Sequence, residues 1–255
     1  MDSESLPSNP SIFWPVTLSF IGAPLAVAGN LVATGVAALG GSSRPWAAAE
    51  AWATFWGPLS VYAPLIFLLV WRSRLDGLTL SELLRYRRSK LGIDLTLGVA
   101  IGIGMAFSAA IIGALATEVF PEIGDSLLYH ADASKTIPLP AWFFAWSVLV
   151  TPLGAALVEE LTYRGYALPK LLAARLKPGT AIGLTSLGFG LQHVAFPFVD
   201  PNVSIYRSVA IFVIGCGLGW TYLKLGRLLP LVIGHYLWDV LPPALAVGIM
   251  ISRAH

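Results

Sequence analysis

The chain has 255 residues, of which 56% are hydrophobic and 12% charged, with 16 Lys and Arg against 14 Asp and Glu. A soluble domain carries about 25% charged residues, so these few cannot cover a water-facing globule, and disorder is excluded because it needs low hydrophobicity with high net charge. The formal net charge of +2 gives nucleic acid no basic footprint, and the single Cys216 allows neither an intrachain disulfide nor a thiolate metal cluster.

A helix needs about 20 apolar residues to cross the hydrocarbon core. On that measure crossings are expected over 12–39, 51–71, 92–117, 139–158, 180–197, 206–223 and 229–250. The fold class is therefore all-α: a polytopic transmembrane bundle of about seven helices. No Lys or Arg precedes Arg44 and further spans follow, so the N-terminal stretch does not read as a secretory signal. The first span is long enough to break near Pro24 or Gly29. Residues 78–90 read as an amphipathic interfacial helix or as a plain basic loop. The fifth span is short, Gly-rich and holds a histidine. Gly98-x-x-x-Gly102 and Gly215-x-x-x-Gly219 permit close helix approach. The polar continuation 158–177 is expected as a helix at the membrane surface.

Basic residues set the orientation. Arg72, Arg74, Arg85, Arg87, Arg88 and Lys90 fall on one side, together with Arg164, Lys170, Arg175, Lys177, Lys224 and Arg227. The other side holds Arg44, Lys135, Arg207 and Arg253, with the acidic Glu118, Glu122, Asp125 and Asp132. The bias places the N-terminus in the cytoplasm and, with seven spans, the C-terminus outside.

An ionisable side chain near mid-membrane costs about 2.5–3.5 kcal/mol on insertion scales, so each one needs a reason. Three clusters stand out: Glu159-Glu160-Leu-Thr-Tyr-Arg164, Phe189-Gly-Leu-Gln-His193 and His235-Tyr-Leu-Trp-Asp239. Glu160 and Arg164 share a helix face and can pair, while Glu159 is turned about 100° away and is left to act. Phe189 lies one turn before His193 and can wall its imidazole from lipid. His235 and Asp239 share a face, so the carboxylate can orient the imidazole or share its proton. His130 and His255 lie in a loop and the tail, where solvation accounts for them. Taken singly, the clusters also read as a solvated helix end, a packed histidine and a helix clamp. Taken together, Glu159, His193, His235 and Asp239 read as one polar site drawn from three helices.

A carboxylate with an imidazole can deprotonate water and pass the proton to a leaving amine. A second imidazole with a polar partner can stabilise the oxyanion of a tetrahedral intermediate. No Gly-x-Ser-x-Gly elbow and no H-E-x-x-H is present, and Cys216 has no adjacent base. A divalent metal such as zinc stays open, with Glu159, His193 and His235 as its ligands if present.

In order and spacing the clusters resemble the E-E-x-x-x-R, F-x-x-x-H and H-x-x-x-N/D motifs of the CPBP intramembrane proteases. That family includes the CAAX prenyl endopeptidases of the Rce1 type and bacteriocin-processing or immunity proteins. Tyr163-Arg164-Gly165 and Gly234 also look like family sequence, and the similarity covers about 140–250. The resemblance implies two parts, N-terminal transmembrane helices with a basic cytoplasmic loop over 1–138 and a protease core over 139–255. It also implies a site opening toward the cytoplasm and reached laterally from the bilayer. On this resemblance Glu159 and His193 activate water, His235 and residue 239 form the oxyanion site, and Glu160, Arg164 and Phe189 support them. Asp239 stands where the prenyl endopeptidases carry Asn. An ionised Asp accepts but does not donate, so it must be protonated, orient His235 or bind a cation.

The expected function is an integral-membrane endopeptidase near the cytoplasmic membrane face, with membrane lipid and a peptide or lipidated-protein substrate as partners and no nucleic acid. The alternatives are a non-catalytic immunity or scaffold protein of the same fold, and a transporter or proton relay. The last would be expected to show matching ionisable residues in the first half, as an inverted repeat supplies, and none are found.

Overall fold

A computed structural model describes residues 11–124, 139–195 and 201–253, with side chains described as far as Leu241. Asp125, His130, Asp132, Lys135 and His255 lie outside the described residues. The described chain is helical throughout, and five of its helices are long and apolar enough to cross a membrane. It is a polytopic membrane helix bundle. The helices are α1 (Phe13–Phe20), α2 (Gly22–Leu39), α3 (Pro45–Ala51), α4 (Ala53–Gly57), α5 (Ala63–Leu75), α6 (Leu80–Leu84) and α7 (Leu91–Val119). They continue with α8 (Ala141–Ala145), α9 (Thr151–Glu160), α10 (Leu168–Ala173), α11 (Pro178–Gln192), α12 (Pro201–Leu225) and α13 (Leu229–Arg253).

Three wider π-helical stretches join some of these into continuous rods: Pro58–Tyr62 between α4 and α5, Trp146–Val150 between α8 and α9, and Leu161–Ala167 between α9 and α10. Each has a proline two residues beyond its end, at Pro64, Pro152 and Pro169. A proline cannot donate to the carbonyl four residues back, and its ring crowds that carbonyl. The preceding residue reaches five residues back instead: Ala63 to Pro58, Thr151 to Trp146 and Leu168 to Tyr163. The helix swells rather than breaks.

Small residues set the packing. Gly98 and Gly102 of α7 face α13 so closely that a Cβ on Gly98 would lie 2.4 Å from Ile233 Cγ2. Gly215 of α12 abuts Ser186 and Phe189, and Gly219 abuts Ile182, all on α11. On α11 itself, a Cβ on Gly188 would meet the Ser19 carbonyl at 1.9 Å, which brings α1 against that helix.

Two elements differ from the sequence expectation. The segment 158–177 is not a surface helix: Val158, Leu161, Tyr163, Arg164, Tyr166, Leu168 and Leu171 are all buried. Arg164 pairs with Glu160 and the Tyr166 hydroxyl donates to Asp76, which lowers their need for water. The fifth span ends early, since α11 stops at Gln192 and measures about 22 Å at 1.5 Å per residue, less than the hydrocarbon thickness. The break in the first span falls at Ile21, just before Pro24. Between 78 and 90 the short α6 forms, with a Thr79–Glu82 capping box and Leu83 buried, followed by one 3-10 turn at Arg88–Lys90.

The basic residues are clamped at one end of the bundle. Asp76 receives the Tyr166 hydroxyl at 2.7 Å, pairs with Lys170 at 3.0 Å and pairs with Arg72. Asp94 pairs with Arg227, and the Leu228 amide donates to the Leu84 carbonyl at 3.2 Å. The opposite end carries a cluster of aromatic rings, Trp52, Phe55, Trp142, Phe143 and Trp146, in the manner of an interfacial belt.

Partial burial opposes ionisation of Asp76, but the Tyr166 hydrogen bond and the Lys170 and Arg72 charges outweigh it and hold the carboxyl below its usual value. A depressed folded value means the stabilisation is present above the unfolded carboxylate range and is lost as pH falls through the folded one. Asp76→Asn should therefore lower stability in detergent by about 1–3 kcal/mol at neutral pH. It should also remove part of the acid-induced loss, both read from melting curves between neutral and acidic pH.

Candidate active site

The three clusters converge. The π-helical turn after Glu160 carries Arg164, whose Nη1 donates to Glu160 Oε1 at 2.9 Å and whose Nη2 donates to the Gly215 carbonyl at 3.1 Å. The guanidinium also lies over the Phe189 ring, 4.7 Å from its centroid. Glu160 and Arg164 are both essentially inaccessible, so each charge depends on the other for its neutralisation.

His235 stands at the centre. Its Nδ1–H donates to Glu160 Oε1 at 3.0 Å, because an ionised carboxylate can only accept. Its Nε2 lies 3.5 Å from Glu159 Oε2 and 3.4 Å from Asp239 Oδ2. Glu159 and Glu160 are thus consecutive yet meet opposite edges of one imidazole. Asp239 occupies the position of a group that orients His235 or shares its proton.

Phe189 organises the aromatic side. Its ring meets His193 edge-on at 5.1 Å between centroids, meets His235 at 5.9 Å and packs on Tyr163 at 5.1 Å. His193 caps α11, and its Nδ1–H donates to the Phe189 carbonyl at 2.9 Å, which puts the basic lone pair on Nε2. His193 lines the same cavity as Glu159, His235 and Asp239, but it stands outside the ion-pair set around His235. That cavity measures about 540 Å3.

Several residues join the site without having been assigned a role from the sequence. Gln192 donates to Glu159 Oε1 and receives the Tyr163 hydroxyl at 3.0 Å, so Glu159 is held rather than left loose. The Gln192 amide fits because residue 22 is glycine: a Cβ there would lie 2.3 Å from Gln192 Oε1. Tyr62 lines the cavity with its hydroxyl in hydrogen-bonding reach of Glu159. Arg207, assigned to the outer side at the start of the sixth expected span, lies within α12 on the cavity wall and donates to the His193 carbonyl at 3.2 Å. The adjacency of Gln192 to His193 was the one available signal, while Tyr62 and Arg207 gave none.

His235 turns both ring nitrogens toward carboxylates, and His193 directs Nδ1 to a backbone carbonyl. Among the described residues no three His, Cys, Asp or Glu side chains are grouped to hold a metal ion. The chemistry considered below uses the side chains alone.

Residues 140–241 match the family model described as type II CAAX prenyl endopeptidase Rce1-like, a stretch that contains every residue from Glu159 to Asp239. No curated protein and no solved structure matches the chain.

Removing Arg164 would strand Glu160 as an uncompensated buried charge. Arg164→Leu should cost about 3–5 kcal/mol, and the double variant Arg164→Leu/Glu160→Leu should recover part of it, as measured by thermal unfolding in detergent.

Proposed function

We propose that this chain, whose residues 140–241 belong to the Rce1-like family, is an intramembrane endopeptidase that hydrolyses a peptide bond with water activated by Glu159 and His193. The observation that carries the proposal is the shared cavity. Two imidazoles and two carboxylates line one space of about 540 Å3 inside the family-matched region. A space of that size suits a short extended peptide segment.

In this mechanism a water seated against Glu159 gives its proton to that carboxylate, while His193 accepts the water's second hydrogen bond at Nε2. The hydroxide attacks the scissile carbonyl carbon, and the C–O bond forms as the carbonyl π-electrons move to oxygen. His235, when protonated, donates from Nε2 to that oxyanion, and the negative groups around it, Glu160 and Asp239, favour the imidazolium. Collapse of the intermediate breaks the C–N bond, and Glu159 returns its proton to the leaving amine. Asp239 acts here by holding His235, which reconciles an Asp with a position where an Asn amide would donate. Gln192 and Tyr62 fix the direction of Glu159, and Arg164 offsets the charge of Glu160.

Membrane lipid surrounds the protein, and a membrane-associated peptide or lipidated protein is the proposed substrate class. Glu159→Gln should lower cleavage of a quenched fluorescent peptide by about 10²- to 10⁴-fold, with unchanged melting behaviour. Turnover should survive a strong chelator. Unchanged cleavage in the Gln variant would remove Glu159 from the mechanism, and chelator loss restored by zinc would replace the metal-free route.

A further inference from the structure

The oxyanion site is short of one donor. A tetrahedral intermediate places its negative oxygen within about 3 Å of the groups that flank the attacking water. Residue 239, where an Asn amide would donate, is an Asp that only accepts when ionised. His235 Nε2 lies 3.5 Å from Glu159 and 3.4 Å from Asp239, and it supplies a single hydrogen. The second must come from another part of the cavity wall.

Most donors on that wall are already committed elsewhere. Thr54 and Ser147 share a hydrogen bond at 2.8 Å, and Thr151 donates to the Thr54 carbonyl. His193 Nδ1–H goes to the Phe189 carbonyl, and Arg207 Nε–H to the His193 carbonyl. The Tyr206 hydroxyl points at Gly113 of α7, where a Cβ would meet it at 3.1 Å. Tyr62 differs from all of these. It lines the cavity, is 5% exposed, and brings its hydroxyl to Glu159 itself.

The chain holds the ring in that place. Tyr62 ends the π-helical stretch Pro58–Tyr62, which packs on α9. The ring lies beside Gly154, where a Cβ would touch Tyr62 Cδ2 at 3.7 Å. Gly154 is five residues before Glu159, about 7.5 Å along the helix. The phenol bridges that gap, with its ring against α9 and its hydroxyl at the carboxylate.

We infer that Tyr62 is a catalytic residue whose hydroxyl is the second donor to the oxyanion, taking the part of the amide that residue 239 lacks. In the resting site the hydroxyl donates to ionised Glu159. Once Glu159 has taken the proton of the attacking water, it is a neutral and weaker acceptor. The new oxyanion is then the strongest acceptor in reach, and the Tyr62 hydrogen bond turns to it. The proton stays on the phenol oxygen throughout, so Tyr62 needs no base of its own. When the C–N bond breaks, Glu159 gives its proton to the amine, regains its charge and recovers the hydroxyl. The inference rests on the peptidase proposal and adds to it a residue from outside the family-matched stretch 140–241.

The test uses the full chain in detergent, with a quenched fluorescent peptide that the wild-type protein cleaves. Its companion is the phosphinic analogue of that peptide, whose tetrahedral P–O⁻ stands in for the oxyanion. Tyr62→Phe keeps the ring beside Gly154 and removes the hydrogen, and thermal unfolding checks that the fold is retained. It should lower kcat by about 10²- to 10³-fold with KM unchanged, and phosphinate affinity by the same factor. The deciding measurement is made in Glu159→Gln, which has no carboxylate left to aim. There the addition of Tyr62→Phe should still weaken phosphinate binding by about 10²-fold, while binding of the intact peptide stays the same. A loss of phosphinate affinity seen only when Glu159 is present would make Tyr62 a holder of that carboxylate and overturn the inference. Wild-type kcat in Tyr62→Phe would overturn it as well, with the peptidase proposal left standing. A wild-type protein that cleaves no peptide would remove that proposal, and the inference with it.

Discussion

The arrangement depends on one buried ion pair. Arg164 and Glu160 sit in the interior of a membrane bundle, where neither could remain charged alone. Their mutual contact leaves capacity to spare, and the structure uses part of it, with Glu160 Oε2 and Arg164 Nε left without a hydrogen-bond partner among the described residues. Arg164 reaches the Gly215 carbonyl on α12 and covers Phe189 on α11, while Glu160 accepts the Nδ1–H hydrogen bond of His235 on α13. Three helices are therefore tied to one pair, and those helices carry His193, Arg207, His235 and Asp239. Fixing the Nδ1–H of His235 leaves Nε2 turned toward Glu159 and Asp239. The electrostatic problem of burying Arg164 and the geometric problem of placing His235 have the same solution.

Proline and glycine make that solution reachable. Pro169 forces the turn after Glu160 to widen, and Arg164 lies inside the widened stretch. On the neighbouring helices, residues without side chains let backbones approach: Gly188 accepts Ser19, Gly22 accepts Gln192, and Gly98 accepts Ile233. In lipid, where apolar side chains gain nothing from avoiding water, such close approach is a main source of helix association. The site is assembled by a few exact fits at glycines more than by bulk apolar area.

Much of this was legible in the sequence, for physical reasons that apply residue by residue. Apolar runs announced the helices because the bilayer admits few alternatives. Glu160 and Arg164 announced their pairing through their spacing, and the rarity of histidine in apolar runs singled out His193 and His235. The roles of Gln192, Tyr62 and Arg207 were hidden because they depend on which helices become neighbours, and spacing along one helix carries no such information. The 158–177 segment misled for a related reason. Its polarity looked like exposure, yet Arg164 pairs with Glu160 and Tyr166 donates to Asp76 within the bundle.

The contact of Ser19 with Gly188 bears on how the molecule divides. The stretch that matches a family starts at residue 140, yet α1 presses on α11 and provides, at Gly22, the recess that seats Gln192 beside Glu159. Leu18 and Leu65 belong to the same apolar core as Leu161 and Leu231. The recognisable half is thus not a self-contained module: expressed without its N-terminal helices it would retain every motif and lose the surface against which its carboxylate is aimed. Chimeras that graft residues 140–241 onto unrelated leading helices would meet the same difficulty, because the match follows the chemistry while the scaffold that directs it lies partly elsewhere in the chain.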